Sequence, residues 1–172
     1  MSLDSLAPKI ARHDEKAFAE LYEKTRRLVF SVCLGVVKNS ALAEELTQDV
    51  FVIVWSRAGE FRGKGFKTWL LTIARNSSIN ALKKARRETA TDFFENEHLG
   101  GRYTVDEQIE TGAVLKAALD KLGEPDRQIV LMKNAGLKMK EIAQVLGLPR
   151  GTASWRYSVA IDVLKKELEG VE

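Results

Sequence analysis

The stretch Met139–Leu164, MKEIAQVLGLPRGTASWRYSVAIDVL, decides the fold. Ile142 and Ala143 lie in a short amphipathic segment, and Gly147 follows four residues after Ala143. Leu148 comes next. From Arg150 or Gly151 a second segment carries Ala153, Tyr157, Ala160 and Leu164 at helical spacing. A small residue lets two helices approach, a glycine takes the turn, and apolar residues lock the crossing angle. These are the requirements of a helix-turn-helix, whose second helix lies in the DNA major groove. The early outward residues of that helix are Arg150, Thr152, Ser154, Trp155, Arg156 and Ser158. The same pattern also fits a plain helical hairpin with no ligand.

Working outward, the second half is punctuated by glycine. Glu110–Leu122 ends at Gly123, and Pro125–Ala135 ends at Gly136, with Pro125 suited to a first helical turn. The first half predicts four helices over Ala7–Thr25, Leu28–Lys38, Ala41–Ala58 and Phe66–Arg87, with a glycine-rich charged turn at Gly59–Gly65. From Glu88 to Glu107 the periodicity fails, and six acidic residues stand against Arg102 alone. No strand pattern appears. The expected fold is therefore all-α: two small helical domains, 1–87 and 108–172, joined by a flexible acidic linker over 88–107.

Bulk properties narrow the function. Net charge is only +3, so a nucleic-acid reading must rest on where the charge sits. Cys33 is the single cysteine, which excludes an intrachain disulfide; its apolar neighbours predict a buried, inert thiol. No signal peptide is visible, and apolar runs such as Val50–Trp55 are too short to cross a bilayer, so a cytoplasmic protein with no membrane insertion is expected.

From Arg62 to Arg87 there are eight basic residues and no acidic one, interleaved with Phe66, Trp69, Asn76 and Asn80. Cations attract phosphates, aromatic rings stack on unpaired bases, and amides read base edges. A solvated helix with core aromatics is the plainer alternative, and Trp69 sits on the core stripe of Phe66 and Ile73. The segment Ala43–Trp55, AEELTQDVFVIVW, has more large apolar side chains than one face buries. With Leu46, Val50 and Val54 inward, Phe51 and Trp55 fall on a flank near Gln48 and Asp49. That flank is either a partner surface or simply wrapped by the domain. His13 and His98 lack ligand-spaced neighbours, and Gly63–Gly65 lacks the remainder of a phosphate loop. Neither a metal, a cofactor nor catalysis is expected.

Taken in order, AEELTQDVFVIVW, FRGKGFKTWLLTIARNSSINALKKARR and the C-terminal helix-turn-helix resemble the extracytoplasmic-function (ECF) sigma factors of bacteria, from about Phe18 to Leu168. The resemblance implies an alternative sigma factor, with region 2 in the first domain and region 4 in the second. It implies docking of Leu46, Gln48, Asp49, Phe51 and Trp55 on the β′ clamp of core RNA polymerase, which also contributes its β subunit. It assigns promoter −10 DNA to Phe61, Arg62, Lys64, Phe66 and Lys67 in the specificity loop, and to Arg75, Asn76, Asn80, Lys83 and Lys84 on the following helix. The −35 element falls to Arg150, Thr152, Ser154, Trp155, Arg156 and Ser158, and an anti-sigma factor is expected. One departure stands out: family reader helices carry more cations than GTASWRYSVAIDVLKKEL does. Trp155 faces a partner or packs within its domain. A stand-alone helix-turn-helix regulator is the alternative.

Overall fold

The computed structural model of the protein describes residues 2–91 and 110–170. These are helices and their turns, with no strand among them. In the first half α1 spans Leu3–Ala11, α2 Glu15–Val37, α3 Ser40–Arg57 and α4 Phe66–Thr91, with a 3-10 turn at Ala58–Glu60. In the second half α5 spans Glu110–Asp120, α6 Asp126–Asn134, α7 Met139–Leu146 and α8 Arg150–Glu169.

The expected division between Ala7–Thr25 and Leu28–Lys38 is corrected. The chain breaks earlier, between α1 and α2, where His13 takes φ 61°. The Asp14 carboxylate accepts the Lys16 and Ala17 amides at 3.0 and 3.1 Å. Such an N-cap contributes about 1 kcal/mol. No cap competes near Thr25, whose buried hydroxyl donates back to the Leu21 carbonyl at 2.6 Å. So α2 runs on without interruption to Val37. Lys38 then turns through φ 56°, and Asn39 starts α3 by accepting the Leu42 amide at 3.0 Å.

α2 is the axis of the first half, with α1, α3 and α4 packed around it. Leu21, Val29, Val32, Cys33 and Val36 are buried along it. Cys33 lies 4.0 Å from the Ala74 carbonyl of α4, and burial pushes its thiol pKa up. The sequence predicted that inert environment.

The two halves are joined by a seam. α6 lies against α2, and α7 against α4. Ile129, Met132, Leu137, Ile142, Val145 and Leu146 belong to the same apolar core as the first four helices. A smaller cluster of Ala118, Leu122, Ala160 and Leu164 holds α5 to α8. Gly35 sets the distance of approach: a Cβ there would lie 3.3 Å from Cγ and 3.4 Å from Cα of Gln128. Glycine inside a helix costs about 1 kcal/mol relative to alanine. The proximity of α6 is the reason it is found here.

Beside it, Arg127 is 2% exposed and donates to the Gly35 carbonyl from Nε at 3.0 Å and from Nη2 at 2.7 Å. That carbonyl is in the last turn of α2, where main-chain acceptors lack helical partners and the dipole favours a cation. α4 continues to Thr91, past the Glu88 at which a linker is expected from the sequence; the rest of that stretch lies outside the described residues.

Gly35→Leu should part the halves while leaving each folded. Small-angle scattering should then give a larger radius of gyration, with helical circular dichroism unchanged. Arg127→Met, which leaves the Gly35 carbonyl without its buried donor, should act in the same direction.

Candidate nucleic-acid and partner interface

The loop before α4 is held from a distance. The Asp4 carboxylate of α1 accepts the Phe66 amide at 2.8 Å and the Gly65 amide at 3.2 Å. It therefore caps α4 from 62 residues away in sequence. Gly63 and Gly65 take φ 88° and 91°, which favours glycine at both. Arg62 folds back and donates to the Gly59 and Phe61 carbonyls. Behind the loop, Phe61, Phe66 and Trp69 form one aromatic cluster, with Phe66 and Trp69 stacked at 5.4 Å. Arg62 and Lys64 are exposed, and Phe61 is half-buried. Phe66 is fully buried. Its assignment as a DNA contact is corrected: it is the floor beneath Phe61 and Trp69.

Along α4, Asn76, Asn80, Lys83 and Lys84 are exposed at spacings of four, three and one, which puts them on one side of the helix. Half-buried Trp69 and Ile73 begin the same stripe. Arg75 leaves it. Its Nε donates to Gln128 of α6 at 3.4 Å, so the expectation that it shares the open face is corrected. Lys67 is likewise engaged in the seam, with Nζ 2.9 Å from Glu141 of α7. Thr68 and Gln144 meet nearby at 3.4 Å. For Glu141, burial raises the carboxyl pKa, but the Lys67 hydrogen bond, the Lys138 amide and both lysine charges outweigh it, and the net shift is down.

The α3 face differs from the expectation. Leu46 is buried, as the helical spacing put it, but Phe51 is buried too, so neither offers the open surface that the resemblance gives them. Phe51 is enclosed edge-to-face by Phe18 and Tyr22, because α2 covers that side of α3. Trp55 is half-buried against His13 and Phe18. Gln48 and Asp49 are exposed. Val52, not singled out from the sequence, is 68% exposed. Its position four residues beyond Gln48 is the signal that would have found it. Between α2 and α3 runs an open groove of about 520 Å³, lined by Tyr22, Arg26, Arg27, Phe30, Glu44 and Gln48 among others.

In the second half, α7 and α8 are joined by residues 147–149, and Gly147 takes φ 68° at the end of α7. Ile142, Ala143, Ala153 and Ala160 are buried, as the helix-turn-helix spacing requires. Arg150, Ser154, Trp155 and Ser158 are exposed, and Thr152 is half-buried. Arg156 differs from the outward orientation expected, because Asp126 of α6 draws its Nη1 back to 3.2 Å. Among the described residues no helix is long and apolar enough to cross a membrane.

Sigma-70 region 2 matches residues 21–88, and sigma-70 region 4 matches residues 113–158. The ECF RNA polymerase sigma factor RpoE of Cereibacter sphaeroides is 33% identical over 159 residues, 90% of this chain and 88% of that protein. The ECF sigma factor SigK of Mycobacterium tuberculosis is 29% identical over 168 residues, covering 96% and 87%. Two solved structures share the fold. The sigma factor RpoE of Bartonella quintana, in complex with the anti-sigma factor NepR, has a TM-score of 0.71 at 23% identity, over 91% of this chain and 99% of that one. CnrH, in complex with the cytosolic domain of CnrY, has a TM-score of 0.69 at 21% identity, over 97% of both.

Asp4→Ala should lower the melting temperature by about 2–4 °C, the effect of losing a cap of about 1 kcal/mol in a chain of this size; differential scanning calorimetry reads it. The depressed Glu141 carboxyl contributes to the seam above its ordinary pKa, and that contribution is lost as pH falls through the lowered value. Acidification should therefore lower the hydrogen-exchange protection factors of α7, measured against the unfolded-chain rate at each pH. Glu141→Gln, which can still accept the Lys138 amide, should remove that part of the pH dependence.

Proposed function

The chain belongs to the ECF sigma factors of the sigma-70 family, which direct promoter-specific transcription, and from that premise we propose how its surfaces divide the work. Residues 21–88 engage core polymerase and the −10 element, and the α7–α8 pair reads the −35 element. The observation that carries this is the pairing of two surfaces on one chain: the exposed Asn76, Asn80, Lys83 and Lys84 stripe beside an aromatic cluster, and a separate reader helix open along its outer side. Unpaired bases need stacking platforms and cations, and a duplex needs a helix that fits its groove. Trapping a base is worth about 1–3 kcal/mol, against an average stacking cost of about 1.4 kcal/mol per step. Strand separation at the −10 element therefore needs no hydrolysis.

Core polymerase, through its β′ and β subunits, docks on α3 at Gln48, Asp49 and Val52 and in the adjoining groove. Leu46 and Phe51 shape that helix from beneath. The Bartonella relative occurs with an anti-sigma factor, which supports a protein inhibitor for this chain as well. The two promoter elements are centred about 25 base pairs apart, about 85 Å along B-DNA. A compact chain of this length spans only about 40 Å. The seam must therefore open before both elements are held at once. A stand-alone regulator is not favoured, because the family match includes the first half as well as the helix-turn-helix.

Purified chain added to bacterial core polymerase should initiate from a distinct promoter set in a genomic library; no start site at all would refute the proposal. Lys83→Glu with Lys84→Glu should reduce strand opening, read by permanganate footprinting, at unchanged affinity for core polymerase. Gln48→Ala with Val52→Asp should weaken that affinity instead.

A further inference from the structure

The outward side of α8 is short of the groups that usually read base edges. Of its early cations, Arg156 is held back against α6: Nη1 lies 3.2 Å from Asp126, and Nε is buried without a hydrogen-bond partner. That leaves Arg150, at the first turn. The Ser158 hydroxyl donates to the Ser154 carbonyl at 3.2 Å. What α8 does present is carbon. Trp155 is 64% exposed, and Val159, four residues on and so on the same side, is 38% exposed. Thr152 begins this line and Asp162 ends it, because a carboxylate there would face phosphates.

In the major groove the apolar feature that varies with sequence is the C5 methyl of thymine. We propose that Trp155, with Val159 beside it, is a specificity residue that reads thymine methyl groups in the duplex element held by α8. This rests on the reading of α8 as the duplex-reading helix. Three features favour DNA over a protein occupant. The apolar patch is only two side chains wide. It is bordered by Ser154 and Ser158. It also lies next to Arg150 at the positive end of the helix, where a phosphate fits.

The test selects a randomised duplex library on the holoenzyme of full chain and bacterial core polymerase. Each thymine of the enriched upstream element is then replaced by deoxyuridine, which removes only the C5 methyl. At one or two positions the replacement should weaken wild-type binding about fourfold, the value of one buried methyl. Trp155→Ala should bind thymine and uracil versions alike. Trp155→Gln, which offers no apolar ring to a methyl, should likewise bind thymine and uracil versions alike. Trp155 is exposed, so both variants should melt at the wild-type temperature. An enriched element without uracil sensitivity, or a sensitivity unchanged in both variants, overturns the inference alone and assigns the tryptophan to a protein contact. No enriched upstream element with wild-type chain overturns the reader-helix reading, and this inference with it.

Discussion

A single buried guanidinium organises the meeting of the two halves. Arg127 has left water to reach the last turn of α2, and a buried cation is costly unless its hydrogen bonds are made. Here they are made at main-chain carbonyls of Gly35 and Leu122, and at the Glu124 carboxylate. The absent side chain of Gly35 permits the approach, and the helix terminus supplies the acceptor. Two neighbouring residues of α6 thus complete α2: Arg127 takes the Gly35 carbonyl, and Gln128 occupies the space a Cβ would need. The apolar groups of α6 and α7 then extend a core that the first four helices had begun.

The same economy governs the loop ahead of α4. Its glycines give it the freedom to project, and Asp4 withdraws some of that freedom by fixing where the helix starts. Phe66 anchors the loop from below while Phe61 and Trp69 remain partly open. The apolar side chains nearest the candidate DNA surface are therefore its support as much as its contact, and the polar ones around them are free to differ.

Much of this was legible in the sequence because helical periodicity and glycine punctuation are local. α3, α7 and the starts of α4 and α8 fall where the pattern puts them. The boundary of α2 was not read, because a lone Asp14 cap outweighs the weak apolar pattern near Thr25. The site was legible as residue types and less so as faces. Phe51 looks surplus on a helical wheel, yet Phe18 and Tyr22 of α2 cover it. Arg75, Lys67 and Arg156 read as free cations, but they meet partners 53, 74 and 30 residues away, at distances no spacing rule reaches. Asp4 was invisible for the same reason.

The seam has one more consequence, which concerns competition. Two surfaces carried on one polypeptide meet at an effective concentration of the order of millimolar, whatever the amount of protein in the cell. A rival that covers only one of them must outbid that standing local partner. A rival that grasps both at once gains avidity for its second contact and needs no exceptional affinity at either. The architecture thus selects for bivalent ligands, and a large assembly with two well-separated landing points is better suited to prise the chain open than any small single-site binder.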